Sequence, residues 1–222
     1  MELLGDKLTM KNQNGFTLTE LLVALAISGV VMAGIYSAYY SQQKSYITQE
    51  QVAAMQQNLR VAMYYMEREI RMAGCDPTGN AGAGIQAISN NTINFTLDIT
   101  DDVGTGEPDG DTLDANEDIT YSLDDNDVDG DNDLERNNNL IAENIDALDF
   151  VYLDANGAIT ATLANIRSVQ ITMVARTGRV DLGFTNNTVY KNQQGSTIYT
   201  APNDSFRRKL LTAGVKCRNL GL

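Results

Sequence analysis

Gly15-Phe16-Thr17-Leu18-Thr19-Glu20-Leu21-Leu22-Val23-Ala24-Leu25 opens a stretch that stays apolar as far as Tyr40. From Phe16 to Tyr40 the only charge is Glu20, and there is no proline. As a helix rising 1.5 Å per residue, this run is long enough to cross a bilayer. It is not an ordinary secretory signal, because the polar-to-apolar junction precedes the run at Gly15–Phe16 and no A-x-A-like site follows it.

Beyond Tyr40 the helical pattern continues in amphipathic form. Ile47, Val52, Met55, Leu59, Ala62, Met63, Met66 and Ile70 recur at helical spacing with Gln, Glu and Arg between them. Gly74-Cys75-Asp76-Pro77 supplies a glycine and proline stop. A single helix from about Phe16 to about Ala73 would be about 85 Å long. A domain of this size cannot bury such a stem, so its first half needs lipid or other subunits.

After Pro77 the pattern changes to period 2 with frequent turn residues. Strands are expected at Thr92–Leu97, Ile119–Leu123, Leu148–Leu153, Ile166–Ala175 and Lys209–Arg218, with a hairpin turn at Asp154-Ala155-Asn156-Gly157. The fold class is therefore α+β: a long N-terminal helix and a mostly antiparallel β head packed on its second half. The segments are a leader at 1–15, a transmembrane or filament-core half at 16–40, an amphipathic half at 41–75 and the head at 76–222.

Composition narrows the function. The 222 residues carry a net charge of −13, which argues against nucleic-acid binding. Asp98 to Asp149 holds 19 of the 29 acidic residues against one base, Arg136; the rest has 10 acidic and 15 basic residues, a net of +5. With no His, the commonest general base, the Ser-His-Asp triad and His-ligated zinc are all absent. Scattered carboxylates in Gly- and Asn-rich loops resemble no catalytic pair held on rigid elements, so the chain does not read as an enzyme.

Gly15, Phe16 and Glu20, followed at once by the apolar run, resemble the class III signal of type IV prepilins. That resemblance implies cleavage after Gly15 by prepilin peptidase, N-methylation of Phe16, and a role for Glu20 in assembly. An intramembrane carboxylate costs a few kcal/mol unless partnered. The amine freed at Phe16 of a neighbouring subunit is a fitting partner for Glu20. The bland alternative is a plain transmembrane anchor with an incidental Glu. Small residues four apart, Ala24/Ser28, Gly29/Ala33 and Gly34/Ala38, allow close helix approach. Initiation at Met10 instead of Met1 would leave a short basic leader and the same mature chain.

The head resembles PilW-like minor pilins through Arg71-Met72-Ala73-Gly74-Cys75, Ile119-Thr120-Tyr121, Leu134-Glu135-Arg136, Glu143-Asn144-Ile145 running into Phe150-Val151-Tyr152, and Val215-Lys216-Cys217-Arg218. The J-type pseudopilin of type II secretion shares much of this plan. The resemblance implies other pilins and minor pilins as partners through the N-terminal helix, inner-membrane assembly machinery, and an inner-membrane site with a periplasmic head before passage to the pilus or cell surface.

Two further expectations concern the head. Asp125, Asp127, Asp129, Asp131 and Asp133 place oxygen ligands at alternate positions with Gly130 sixth, like most of a calcium loop, but Arg136 stands where the closing Glu belongs. Asp102, Glu107, Asp109 and Asp111 form a looser second cluster around Gly104, Gly106 and Gly110. No cofactor is required; Ca2+ is the candidate ion, and a solvated acidic surface is the competing reading. Cys75 and Cys217 either pair, as an exported head favours, or pack as small hydrophobes. A bridge would close a long loop and stabilise by about 4 kcal/mol in the chain-entropy model.

Overall fold

The computed structural model describes residues 15–101, 106–124 and 132–221. Helix α1 spans Leu18–Met72 as one uninterrupted element. The chain divides into two compact units, Met1–Ile47 and Thr48–Leu222. In the first, every described residue is exposed, including Leu21, Leu25, Ile27, Val30 and Ile35. Such a helix hides no apolar surface within its own chain.

In the second unit, α1 behaves as a core helix. Of the eight positions expected from the periodicity, Met55, Leu59, Ala62, Met63, Met66 and Ile70 are buried, Val52 is half-buried, and Ile47, in the first unit, is exposed. The helix ends where the glycine stop was read. Gly74 takes the left-handed conformation (φ +76°), and the Ala73 and Cys75 amides close back on Ile70 and Met72. The Gly74 amide leaves the helical pattern to reach the Thr96 carbonyl at 3.0 Å. A Cβ there would lie 2.5 Å from Leu220 Cδ2, a second reason for glycine.

Among the described residues ten strands follow, all paired antiparallel. β1 (Ile85–Ile88), β2 (Ile93–Thr96), β3 (Asp118–Asp124), β4 (Asp133–Arg136) and β5 (Asn139–Ala142) form a five-stranded meander in chain order. β6 (Ile145–Leu153), β7 (Ser168–Arg176) and β10 (Arg208–Lys216) form a second sheet in the order β10-β7-β6, and β8 (Val189–Lys191) pairs with β9 (Thr197–Thr200). One continuous core joins Leu59, Met66 and Ile70 of α1 to Ile93, Phe95 and Tyr121 of the first sheet and Phe150, Ile171 and Met173 of the second. Fully burying side chains of this size contributes roughly 1.5–3 kcal/mol each before the entropy cost of ordering them.

All five expected strands are present, with ends shifted by a few residues. Asp154–Gly157 is a turn, its Gly157 amide bonded to the Asp154 carbonyl at 3.1 Å. The short strands β1, β4, β5, β8 and β9 were not foreseen. Between β4 and β5 the two-residue turn Asn137-Asn138 has φ of 51° and 61°, the geometry that matches hairpin twist.

Candidate functional site

The N-terminal constellation is built by the start of α1. A helix start leaves amide donors without intrahelical partners, a costly arrangement in lipid. Here Thr17 precedes the first helical residue, and its hydroxyl accepts the Glu20 amide at 3.2 Å. Glu20 reaches back in turn: its Oε2 accepts the Thr17 amide at 2.8 Å and the Thr17 hydroxyl at 2.8 Å. This is a reciprocal capping box written in Thr17-Leu18-Thr19-Glu20. The sequence reading gave Glu20 a partner on another subunit and overlooked the Thr-x-x-Glu signal. The structure gives the carboxylate a partner on its own chain, which holds it at the helix start.

The rest of the constellation is open. Phe16 is 90% exposed beside the expected cleavage point, and a Cβ on Gly29 or Gly34 would meet nothing within 4 Å. By length and composition α1 can cross a membrane, and none of its apolar window is buried within the chain.

In the head, Asp125, Asp127, Asp129 and Asp131 lie outside the described residues, as do Asp102 and Gly104. Asp133, expected as the fifth oxygen ligand of that loop, belongs instead to β4. There it is 4% exposed, pairs in register with Asp124, and its Oδ1 accepts the Asn144 amide at 2.9 Å. A carboxylate so engaged serves the sheet. Arg136, which breaks the calcium-loop pattern, turns to α1 and donates to Glu69 Oε2 at 2.9 Å. In the second cluster, Asp109, Asp111 and Asp114 each offer an oxygen within 4.8 Å of the others; Asp114 was not singled out from sequence, and Glu107 is not part of the group.

The expected Cys75–Cys217 bridge is not formed in this structure: both cysteines are free. Cys217 packs in the core as a small hydrophobe, its thiol pushed up to about 11 by burial. Cys75 is half-buried, and burial followed by the nearby Asp98 and Asp76 carboxylates raises its pKa as well. Neither is poised as a reactive thiolate.

A groove of about 600 Å³ lies between β6 and β9. Its carboxylate Asp149 accepts a hydrogen bond from Asn192 Nδ2 at 2.9 Å, and the other polar groups there are amides and hydroxyls. No acid–base pair lines it among the described residues.

Residues 10–36 match the family model of the prokaryotic N-terminal methylation motif. Among solved structures the chain is similar to a type IV-like pilin from Thermus thermophilus, at 15% identity and a TM-score of 0.49, covering 75% of this chain and 97% of that one. No curated protein matches the chain. Residues 10–36 thus carry the N-terminal methylation motif, and it leads into one long helix that first runs exposed and apolar and then enters an antiparallel β head.

Proposed function

We propose that the chain is a minor pilin: it is cut after Gly15 by prepilin peptidase, methylated at Phe16, and incorporated into or used to prime a type IV pilus. The observation that carries this reading is the capping box of Thr17 and Glu20 at the head of an unburied apolar helix. A helix of this kind has no partner in its own chain, so lipid must cover it before assembly and other subunits after. Glu20 then has two duties, capping its own helix and meeting the free amine at Phe16 of a neighbour.

Two substitutions separate those duties. Glu20→Gln keeps an oxygen that can accept the Thr17 amide but removes the charge; Glu20→Ala removes both. Both variants should insert and be cut at Gly15, and both should be depleted from sheared filaments relative to the unaltered chain. Equal recovery of Glu20→Gln in normal filaments would confine Glu20 to capping and remove its assembly role.

A type II secretion pseudopilin is the second reading, supported by the same helix and by the J-type likeness of the head strands. Deleting the chain distinguishes the two: loss of surface pili supports the first, and loss of enzyme secretion with pili intact supports the second. The proposed role is structural and calls for no catalytic residue.

A further inference from the structure

Three tyrosines stand at the end of the apolar run, and their position sets a depth. Tyr36, Tyr39 and Tyr40 are 70%, 62% and 64% exposed. Their spacing of i, i+3 and i+4 puts them on one face of α1. Polar residues begin directly after, at Ser41-Gln42-Gln43-Lys44-Ser45. Tyrosine favours the boundary between lipid chains and headgroups, because its ring is apolar and its hydroxyl needs water or a polar partner.

Two lengths agree with that placement. From Tyr36 to Tyr40 the helix rises about 6 Å, close to the roughly 5–8 Å of headgroup layer on one side of a bilayer. From Phe16 to Tyr36 it rises about 30 Å, the thickness of the hydrocarbon core. Seating Tyr36 at one boundary therefore sets Phe16 at the other, with Glu20 about one turn inside. Tyr46, about 9 Å beyond Tyr40, lies past the layer on the water side.

The opposite face differs. Gly34, Ser37, Ala38, Ser41 and Ser45 recur at helical spacing, displaced from the tyrosines by roughly 200° around the axis. The Ser45 hydroxyl is satisfied by the Ser41 carbonyl at 3.1 Å. At the level of residues 34–45, small side chains on that face suit close approach of another helix, which leaves the tyrosines for lipid; Gly29 and Ala33, on the tyrosine face, lie deeper in the span.

We infer that Tyr36, Tyr39 and Tyr40 are a one-sided lipid-binding collar that seats the unassembled chain at phospholipid headgroup level. This rests on the membrane-anchored reading above and adds its register.

The chain has no tryptophan, so single-tryptophan variants report depth without interference. Full-length Tyr39→Trp, Tyr40→Trp, Tyr46→Trp and Val30→Trp are reconstituted in phosphatidylethanolamine–phosphatidylglycerol vesicles. The lipids carry bromine, a fluorescence quencher, either near the headgroup end or near the methyl end of the acyl chain. Trp replacing Tyr39 or Tyr40 should be quenched more by the headgroup-end bromines, and Trp replacing Val30 more by the methyl-end bromines. Trp replacing Tyr46 should be the least quenched of the four.

Failure of the two readings looks different. If the Val30→Trp reporter is not quenched by either lipid, the span itself is wrong and the collar falls with it. If that reporter is quenched from the methyl end but those at 39 and 40 are unquenched, the span stands and the collar is overturned; blue-shifted emission would then assign those positions to contact with another protein chain. Equal methyl-end quenching at 30 and 40 would overturn the register. As a second readout, Tyr36→Ala with Tyr39→Ala and Tyr40→Ala should change the depth of the Val30→Trp reporter, and an unmoved reporter overturns the seating role.

Discussion

The Tyr121 hydroxyl donates to Glu69 Oε2 at 2.6 Å, joining the centre of β3 to the last turn of α1 across 52 residues of sequence. The same oxygen accepts Arg136 Nε at 2.9 Å, and Arg136 Nη1 reaches Asn116 Oδ1 at 3.2 Å. Tyr121 is fully buried, and burial together with the Glu69 contact raises its pKa, so it remains a donor at any physiological pH.

That geometry predicts unequal costs for removing either partner. Tyr121→Phe deletes one hydrogen bond to a charged group and should cost about 1.5–3 kcal/mol. Glu69→Ala leaves both a buried hydroxyl and a partly buried guanidinium without their acceptor, and should cost more. At roughly 2–4 °C per kcal/mol for a domain of this size, Glu69→Ala lowers the melting temperature of the detergent-solubilised chain further than Tyr121→Phe. Equal or negligible shifts would show that the carboxylate does not tie helix to sheet.

A second ionic group predicts how stability changes with pH. Arg208, 1% exposed at its side chain, donates to Asp146 Oδ2 and to both oxygens of Asp204, and stacks on Phe206 and Tyr199. Hydrogen bonding from Arg208 holds Asp204 below the usual aspartate range. Its contribution is therefore complete above the unfolded value near 3.9 and is lost as pH falls through the lower folded-state value. Asp146 is raised by burial despite Arg208, and it works in the opposite direction. Asp204→Asn should lower stability at pH 7 and reduce the fall in melting temperature below about pH 4; an unchanged acid-side slope would remove Asp204 from the account.

Much of this fold was legible because its signals are long. The apolar run to Tyr40 and the Met55–Ile70 stripe each repeat over several turns, and Gly74 marks the stop by a conformation that L side chains rarely adopt. β4 and β5 were missed because Asp133-Leu134-Glu135-Arg136 reads as polar; only its pairing with β3, and Arg136 reaching Glu69, make it a strand. That Asp133 opens β4 was not foreseen for the same reason, since its alternation with Asp131 and Asp129 suits a loop and a strand equally. At the N-terminus the residues were legible and one relation was not. Thr17 and Glu20 were read as parts of a processing signal, while the hydrogen bonds between them depend on the helix starting at Leu18.

The acidic loops carry a separate expectation. The Asp109, Asp111 and Asp114 oxygens, within 4.8 Å of one another, repel, as would Asp125, Asp127 and Asp129 in any compact loop. A divalent cation offsets that repulsion and, by binding the folded form, stabilises it. With Arg136 in place of the closing carboxylate, affinity should fall near the 10⁻⁴ to 10⁻³ M of extracellular modules. The full chain should melt higher in millimolar calcium than in chelator. Asp109→Ala with Asp111→Ala, or Asp127→Ala with Asp129→Ala, identifies which loop is responsible by reducing the difference. Identical melting in calcium and chelator assigns both loops to solvated surface.

If the capped, unburied first half of α1 is the assembly element of a processed filament subunit, its processing is read from the intact mass and N-terminal sequence of the chain recovered from membranes of cells expressing it with a prepilin peptidase. That chain should begin at Phe16, carry one methyl group on its amine, and end as the precursor does. A recovered chain that retains Lys11, or that begins beyond the apolar run after Tyr40, would contradict it.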